Sequence, residues 1–125
     1  MTRAASLLAV VLSVMSQASL ANEPAESLYS RLGGASQVSM LVGESVDRAF
    51  ETPARAAARD LLVSRICSLS GGGCSATPAP DFSANEYSSL IEGLRQSMRT
   101  HEVPLAARNE LLEILDGMRQ GAHRR

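Results

Sequence analysis

Aromatic side chains are scarce in this chain of 125 residues, and lysine is absent. Aromatic residues make up 3% of it, tryptophan is absent, and every position counted as lysine or arginine is arginine. The low aromatic content leaves few large flat side chains for lining a broad apolar pocket. The 12 basic and 13 acidic residues are interspersed along the chain, so no basic patch of the kind that binds nucleic acid is predicted.

Histidine is equally rare, with two residues. Neither His101 nor His123 has a second ligand at the spacing that metal sites use, so no metal site is predicted. The serines have no nearby histidine to act as a base, which argues against nucleophilic hydrolysis. The glycines at 71–73 precede a proline-rich stretch instead of a helix, and this predicts a helix stop, not a phosphate-binding loop. We therefore expect no catalytic residues and no enzyme.

Apolar runs long enough to cross a bilayer are missing as well. The apolar run at residues 4–15 is too short to do so. An arginine precedes it and small residues follow it, a pattern typical of a signal peptide cleaved after Ala21, with Ala18 as a second possible site. An uncleaved anchor is the alternative interpretation. We expect a signal peptide at 1–21, one exported domain at 22–125 in the periplasm or outside the cell, and no membrane contact after cleavage.

The chain contains two cysteines, Cys67 and Cys74. In an oxidising exported compartment a disulfide between them is the favoured expectation. Their spacing alone leaves two unpaired thiols open as the alternative.

Apolar residues recur with helical spacing in four long segments, and a shorter one at 26–32 precedes them. The positions expected to face inward are Val38, Leu41, Val42, Val46, Ala49 and Phe50; Ala58, Leu61, Leu62, Ile66 and Leu69; Tyr87, Leu90, Ile91, Leu94 and Met98; and Leu105, Leu111, Leu112, Leu115 and Met118. Ser45 interrupts the first of these stripes with a hydroxyl. No segment has the alternating pattern of a strand, so the predicted fold class is all-α, with a short N-terminal helix and four main helices.

Local signals predict where these helices begin and end. Glycines at 33–34 stop the short helix, and the next helix is expected to open at Ser36. Pro53 suits the first turn of a helix, where its missing N–H is not needed. Ser83 and the glutamate three residues later form a capping box. Residues 101–104 (His-Glu-Val-Pro) predict the last break.

Four segments in order resemble the group 1 truncated haemoglobins. Residues 27–34 (Ser-Leu-Tyr-Ser-Arg-Leu-Gly-Gly) are similar to the family's opening signature, and residues 62–72 resemble its E helix and closing glycines. Residues 81–98 resemble the entry of its G helix. Residues 103–112 resemble its G–H turn and H helix. The resemblance covers nearly all of 27–121 and implies a truncated globin-like helical fold with a shortened F region.

The resemblance also implies a function, which is to bind haem and diatomic gases such as oxygen. Haem in this family lies between the E and F helices, with its iron bonded to a histidine of the F helix. The positions that would line such a pocket, if haem binds, are Val46, Leu62, Ile66, Tyr87, Leu90, Leu94 and Leu115.

Several residues depart from the family pattern around the haem. Residues 75–81 replace the segment that carries the histidine, and they contain no His, Cys, Met or Tyr that could bond iron. Ser45 and Val46 stand where the family has a Phe-Tyr pair, and Leu62 stands at the position of a distal glutamine. Without an iron–nitrogen bond, haem would be held by porphyrin burial and propionate contacts alone.

Two hypotheses from different classes follow. One is an exported carrier or sensor of haem and oxygen, with its pocket preserved. The other is a haem-free globin-like module with a structural or protein-interaction role, in which the expected pocket residues close on one another as core.

Overall fold

One short helix and four long ones make up the computed structural model, which describes residues 26–123. They are α1 (Leu28–Arg31), α2 (Gly34–Ala49), α3 (Thr52–Leu69), α4 (Ala84–Thr100) and α5 (Leu105–His123). No strand occurs within this range, so the predicted all-α class with four main helices is confirmed. None of these helices is both long and apolar enough to cross a bilayer. The expected signal peptide at 1–21 and its cleavage sites lie outside the described residues.

The local signals for helix boundaries are mostly confirmed. The Ser83 side chain accepts a hydrogen bond from the backbone N–H of Glu86, whose carboxylate in turn accepts from the Ser83 N–H, so the capping box is complete. Pro53 lies in the first turn of α3. The prediction that α2 opens at Ser36 is wrong by two residues. Gly33 and Gly34 both adopt positive φ (107° and 77°), and this sharp turn lets the helix begin at once.

Helix α4 is the centre of the packing. It lies against α2 on one side and α5 on the other, while α3 packs on α2 and the short α1 contacts α2 and α5. The expected inward faces of α2 and α4 supply most of the buried core. Between α3 and α4 the chain runs from Cys74 to Ser83 without helix, and we call residues 74–83 the connector.

Three residues expected to face inward are instead exposed. Leu61 is 50% exposed, Leu69 43% and Leu105 62%. On α3 the buried line runs through Ala58, Leu62 and Ile66, four residues apart. Leu61 and Leu69 lie on a neighbouring line, eight residues apart with Arg65 between them, and they stay exposed because the main packing contact of α3 is with α2.

Candidate functional site

All seven residues expected to line a haem pocket lie in one buried cluster. Each has an exposed fraction of 1% or less; they are Val46, Leu62, Ile66, Tyr87, Leu90, Leu94 and Leu115. An empty space of haem size between them would leave each side chain with surface that water could reach. Because almost none of that surface exists, the side chains fill the space between α2, α3, α4 and α5 themselves.

A close approach of two helices reinforces this filling. The Ser45 hydroxyl, fully buried on α2, donates a 2.7 Å hydrogen bond to the carbonyl oxygen of Leu90 on α4. One turn further along α4, a Cβ atom added at Gly93 would lie 3.1 Å from the Ser45 Cα. The two backbones are therefore as close as serine and glycine allow. The serine that interrupts the apolar stripe in the sequence thus lies at a close contact between the two helices.

The connector is fixed to the rest of the molecule at three places along its length. Cys74 lies at disulfide distance from Cys67 on α3, with Cα atoms 5.7 Å apart, which confirms the predicted pair. The Arg65 guanidinium donates a hydrogen bond to the Thr77 carbonyl. The Tyr87 hydroxyl, expected at the edge of a haem pocket, donates a 2.6 Å hydrogen bond to the Pro80 carbonyl. The connector is thus held on α3 and α4 by one disulfide and by two hydrogen bonds to its own backbone carbonyls.

An aromatic contact closes the end of the connector. The Phe82 ring is buried, with its centroid 4.9 Å from that of Phe50 and 5.4 Å from that of Tyr87. Both contacts are tilted, an arrangement that aromatic pairs prefer. Three of the chain's few aromatic residues are therefore used to seal this end of the core.

The short helix α1 is attached to the disulfide loop. The Tyr29 N–H donates a 2.9 Å hydrogen bond to the Ser70 carbonyl, and the Tyr29 ring lies beside Gly72, where even a Cβ would come within 3.0 Å of it. Arg31 forms a two-pronged ion pair with Glu110 on α5. This contact holds the pKa of Glu110 below its usual range. Helix α1 thus ties the end of α3 to α5.

A small polar cluster joins α2 and α4 near the surface. Glu44 Oε1 accepts a 2.7 Å hydrogen bond from the Ser97 hydroxyl and lies 2.8 Å from His101 Nε2. The Ser97 hydrogen bond, followed by the contact with His101, holds the pKa of Glu44 below its ordinary value. The hydroxyl donates to the carboxylate and not to the imidazole, so the cluster does not activate a serine nucleophile. His101 caps the C-terminal end of α4, as the sequence predicts.

Two side-chain contacts between α2 and α4 were not predicted from the sequence. The contact of Ser45 with α4 had one local signal, the glycine at 93 inside a helix, where glycine costs about 1 kcal/mol relative to alanine unless packing requires it. The pairing of Glu44 with His101 spans 57 residues and had no local signal. Within residues 26–123, no group of three or more His, Cys, Asp or Glu side chains is placed to hold a metal ion.

No protein-family model matches this chain, and no curated protein matches it either. The likeness to truncated haemoglobins therefore remains a prediction from the residues themselves. It bears on function only together with the geometry described above.

Proposed function

We propose that this protein is an exported, truncated-haemoglobin-like module that works without haem, in a structural or protein-interaction role and not as an enzyme. One observation carries the proposal. The seven residues that would line a haem pocket are packed against one another with at most 1% of their surface exposed. Haem and oxygen, the ligands that the resemblance implies, are therefore not the ligands we propose for this chain.

The positions of the family-like segments support the globin-like part of the proposal. The glycines at 33–34 form the turn from α1 into α2. Residues 62–72 cover the C-terminal part of α3 and the glycines that follow it. Residues 103–104 lie in the turn from α4 to α5. These three segments thus lie at helix boundaries, where the resemblance expects them.

The connector supports the haem-free part of the proposal. Its residues 75–81 offer no side chain that ligates iron. The cysteine that precedes them is bonded to Cys67, and the backbone is held by Arg65 and Tyr87. Three attachments would have to break before a porphyrin could enter from this side.

Two further features support the other parts of the proposal. A cysteine pair at disulfide distance suits an oxidising exported compartment. Leu61 and Leu69 are exposed apolar side chains on α3, which a partner protein could cover.

The test is a haemin titration of protein purified from cells that express the full chain. We expect no sharp Soret band at micromolar haemin, because the core side chains fill the space for the porphyrin and residues 75–81 contain no His, Cys, Met or Tyr. The His101→Ala variant serves as the control for ligation by the one histidine whose side chain the structure describes. A sharp band with submicromolar affinity, present in the wild type and lost in His101→Ala, would show that the protein is a haem protein and that the proposal is wrong.

A further inference from the structure

A groove with three arginines and no carboxylate lies between α4 and α5. We propose that it binds a small amphipathic anion, a carboxylate carried on a short apolar chain. The groove has a volume of about 310 Å³, at the lower end of the range for small-molecule sites. Its lining residues, which define what we call the arginine groove, are Arg95, Arg99, Leu105, Arg108, Asn109 and Leu112.

Helical spacing brings these side chains together. Arg95 and Arg99 are one turn apart on α4, and residues 105, 108, 109 and 112 follow the i, i+3, i+4, i+7 pattern on α5. The two helices pack against each other directly. The groove therefore has one wall from each helix, and both walls carry positive charge.

The positive charge of the groove is largely unpaired. Arg95 binds Glu92 on its own helix at 2.7 Å, but the Arg99 guanidinium has no ion pair among the residues that the structure describes. The Nε atom of Arg108 is buried and makes no hydrogen bond there. Arg108 forms no ion pair within the described residues either, so no carboxylate balances its guanidinium charge. Guanidinium groups suit carboxylates because they can donate two parallel hydrogen bonds to them.

The neighbouring groove shows the contrast. It shares Arg95, Asn109 and Leu112 with the arginine groove but also contains Glu113, Asp116 and Arg119. In that groove Asp116 is paired with Arg119. Acidic side chains thus balance the charge in the neighbouring groove, whereas none lies in the arginine groove, in a chain whose formal net charge is −1.

Two leucines in the arginine groove indicate that its ligand carries an apolar chain. Leu105 is the most exposed of the large hydrophobic residues in the described part of the chain, and it lies beside the arginines. Leu112 is partly buried along the same wall. A ligand with an apolar chain would cover Leu105 while its carboxylate meets Arg99 and Arg108. The groove shares none of the seven core residues discussed above, so this inference does not depend on the haem-free proposal.

The test separates the two halves of the ligand by calorimetric titration of protein from cells expressing the full chain. The three probes are octanoate, acetate, which lacks the apolar chain, and octan-1-ol, which lacks the charge. We expect octanoate to bind at least tenfold more tightly than either of the others. Raising the salt concentration should weaken its binding, because exposed charges are screened.

Variants locate the site. Arg108→Gln and Arg99→Gln should each weaken octanoate binding about tenfold or more, while Arg59→Gln, which removes an exposed arginine from α3, should leave it unchanged. Unfolding midpoints measured in parallel establish that each variant is folded. Equal binding of octanoate and octan-1-ol, or an equal effect of Arg59→Gln, would overturn the proposal. Binding to anionic phospholipid vesicles without binding of free octanoate would overturn it in favour of a membrane surface.

Discussion

Leu94 lies in the middle of the core, with none of its surface exposed. Leu94→Ala should lower the free energy of unfolding by about 2–5 kcal/mol, because the removed atoms leave a cavity among close-packed neighbours. Leu61→Ala is the matched control, since Leu61 is half exposed, and it should change stability by about 0.5 kcal/mol at most. Denaturant unfolding of both variants measures the difference.

The same experiment with added haemin tests the haem-free proposal by a second route. Haemin should not raise the unfolding midpoint of the wild type, because a ligand stabilises only the state that it binds. A loss below about 1 kcal/mol in Leu94→Ala, together with clear stabilisation of the wild type by haemin, would mean that the space is a preserved pocket.

Glu44 gives the protein a pH dependence with a defined sign. Its pKa is lowered in the folded state, first by the Ser97 hydroxyl and then by His101. A carboxylate with a depressed pKa stabilises the fold above its unfolded pKa of about 4.3 and loses that effect as the pH falls through the folded value. Wild type should therefore be more stable than Glu44→Gln at pH 7, by about 0.2–1 kcal/mol for so exposed a group. The difference should begin to shrink as the pH falls below the unfolded pKa and should vanish once the pH is below the lowered folded-state pKa.

The control for this prediction is Glu113→Gln. Glu113 is exposed on α5 and has no hydrogen bond or ion pair within residues 26–123. Its substitution should leave the pH profile of stability unchanged. If Glu44→Gln and Glu113→Gln give the same profile, the Glu44 cluster contributes nothing to folding.

Individual residues also show how far the sequence predicts this structure. The stripe on α4 was predicted correctly because its five apolar residues form one line and α4 is covered on both sides. On α3 the adjacent residues Leu61 and Leu62 lie on neighbouring lines, and local sequence cannot tell which of the two is buried. That choice depends on which neighbouring helix covers α3, which is a property of the whole fold.

At the scale of elements, the connector depends on the Cys67–Cys74 bond. The cysteines are seven residues apart, and closing so short a loop should stabilise the fold by about 2–3 kcal/mol in the chain-entropy estimate. The double variant Cys67→Ser/Cys74→Ser should lose this amount in urea unfolding. Wild type under reducing conditions should match the double variant. Two free thiols per chain in a quantitative labelling assay of unreduced exported protein would contradict the bond.

The sequence predicts some features of these elements better than others. The capping box at Ser83 and the proline in the first turn of α3 are local features, and both were predicted. The absence of helix from the connector was also expected from its composition. Its attachment through Arg65 and Tyr87 was not, because these bonds end on backbone carbonyls, which every residue possesses.

For the whole molecule, the distance between α2 and α4 is set by Gly93. Gly93→Ala would place a Cβ atom 3.1 Å from the Ser45 Cα, so α2 and α4 must separate, and stability should fall by about 1–3 kcal/mol. Gly117→Ala is the matched control, because its Cβ on α5 would meet nothing within 4 Å. That variant should gain about 0.5–1 kcal/mol from helix propensity and a less flexible unfolded chain. Thermal unfolding of the pair should give shifts of opposite sign, and two shifts of the same sign would contradict a close contact at Gly93.

The contact between Ser45 and Gly93 also limits the order in which this chain can change over generations. A Cβ atom at 93 would crowd Ser45 on α2. The Ser45 side chain is itself fully buried against α4, so a larger side chain at 45 would also need the two helices to move. Either first step passes through a less stable protein, and proteins close to their stability threshold are removed by selection when they lose a few kcal/mol. Introducing an aromatic residue at position 45 therefore requires earlier stabilising substitutions elsewhere.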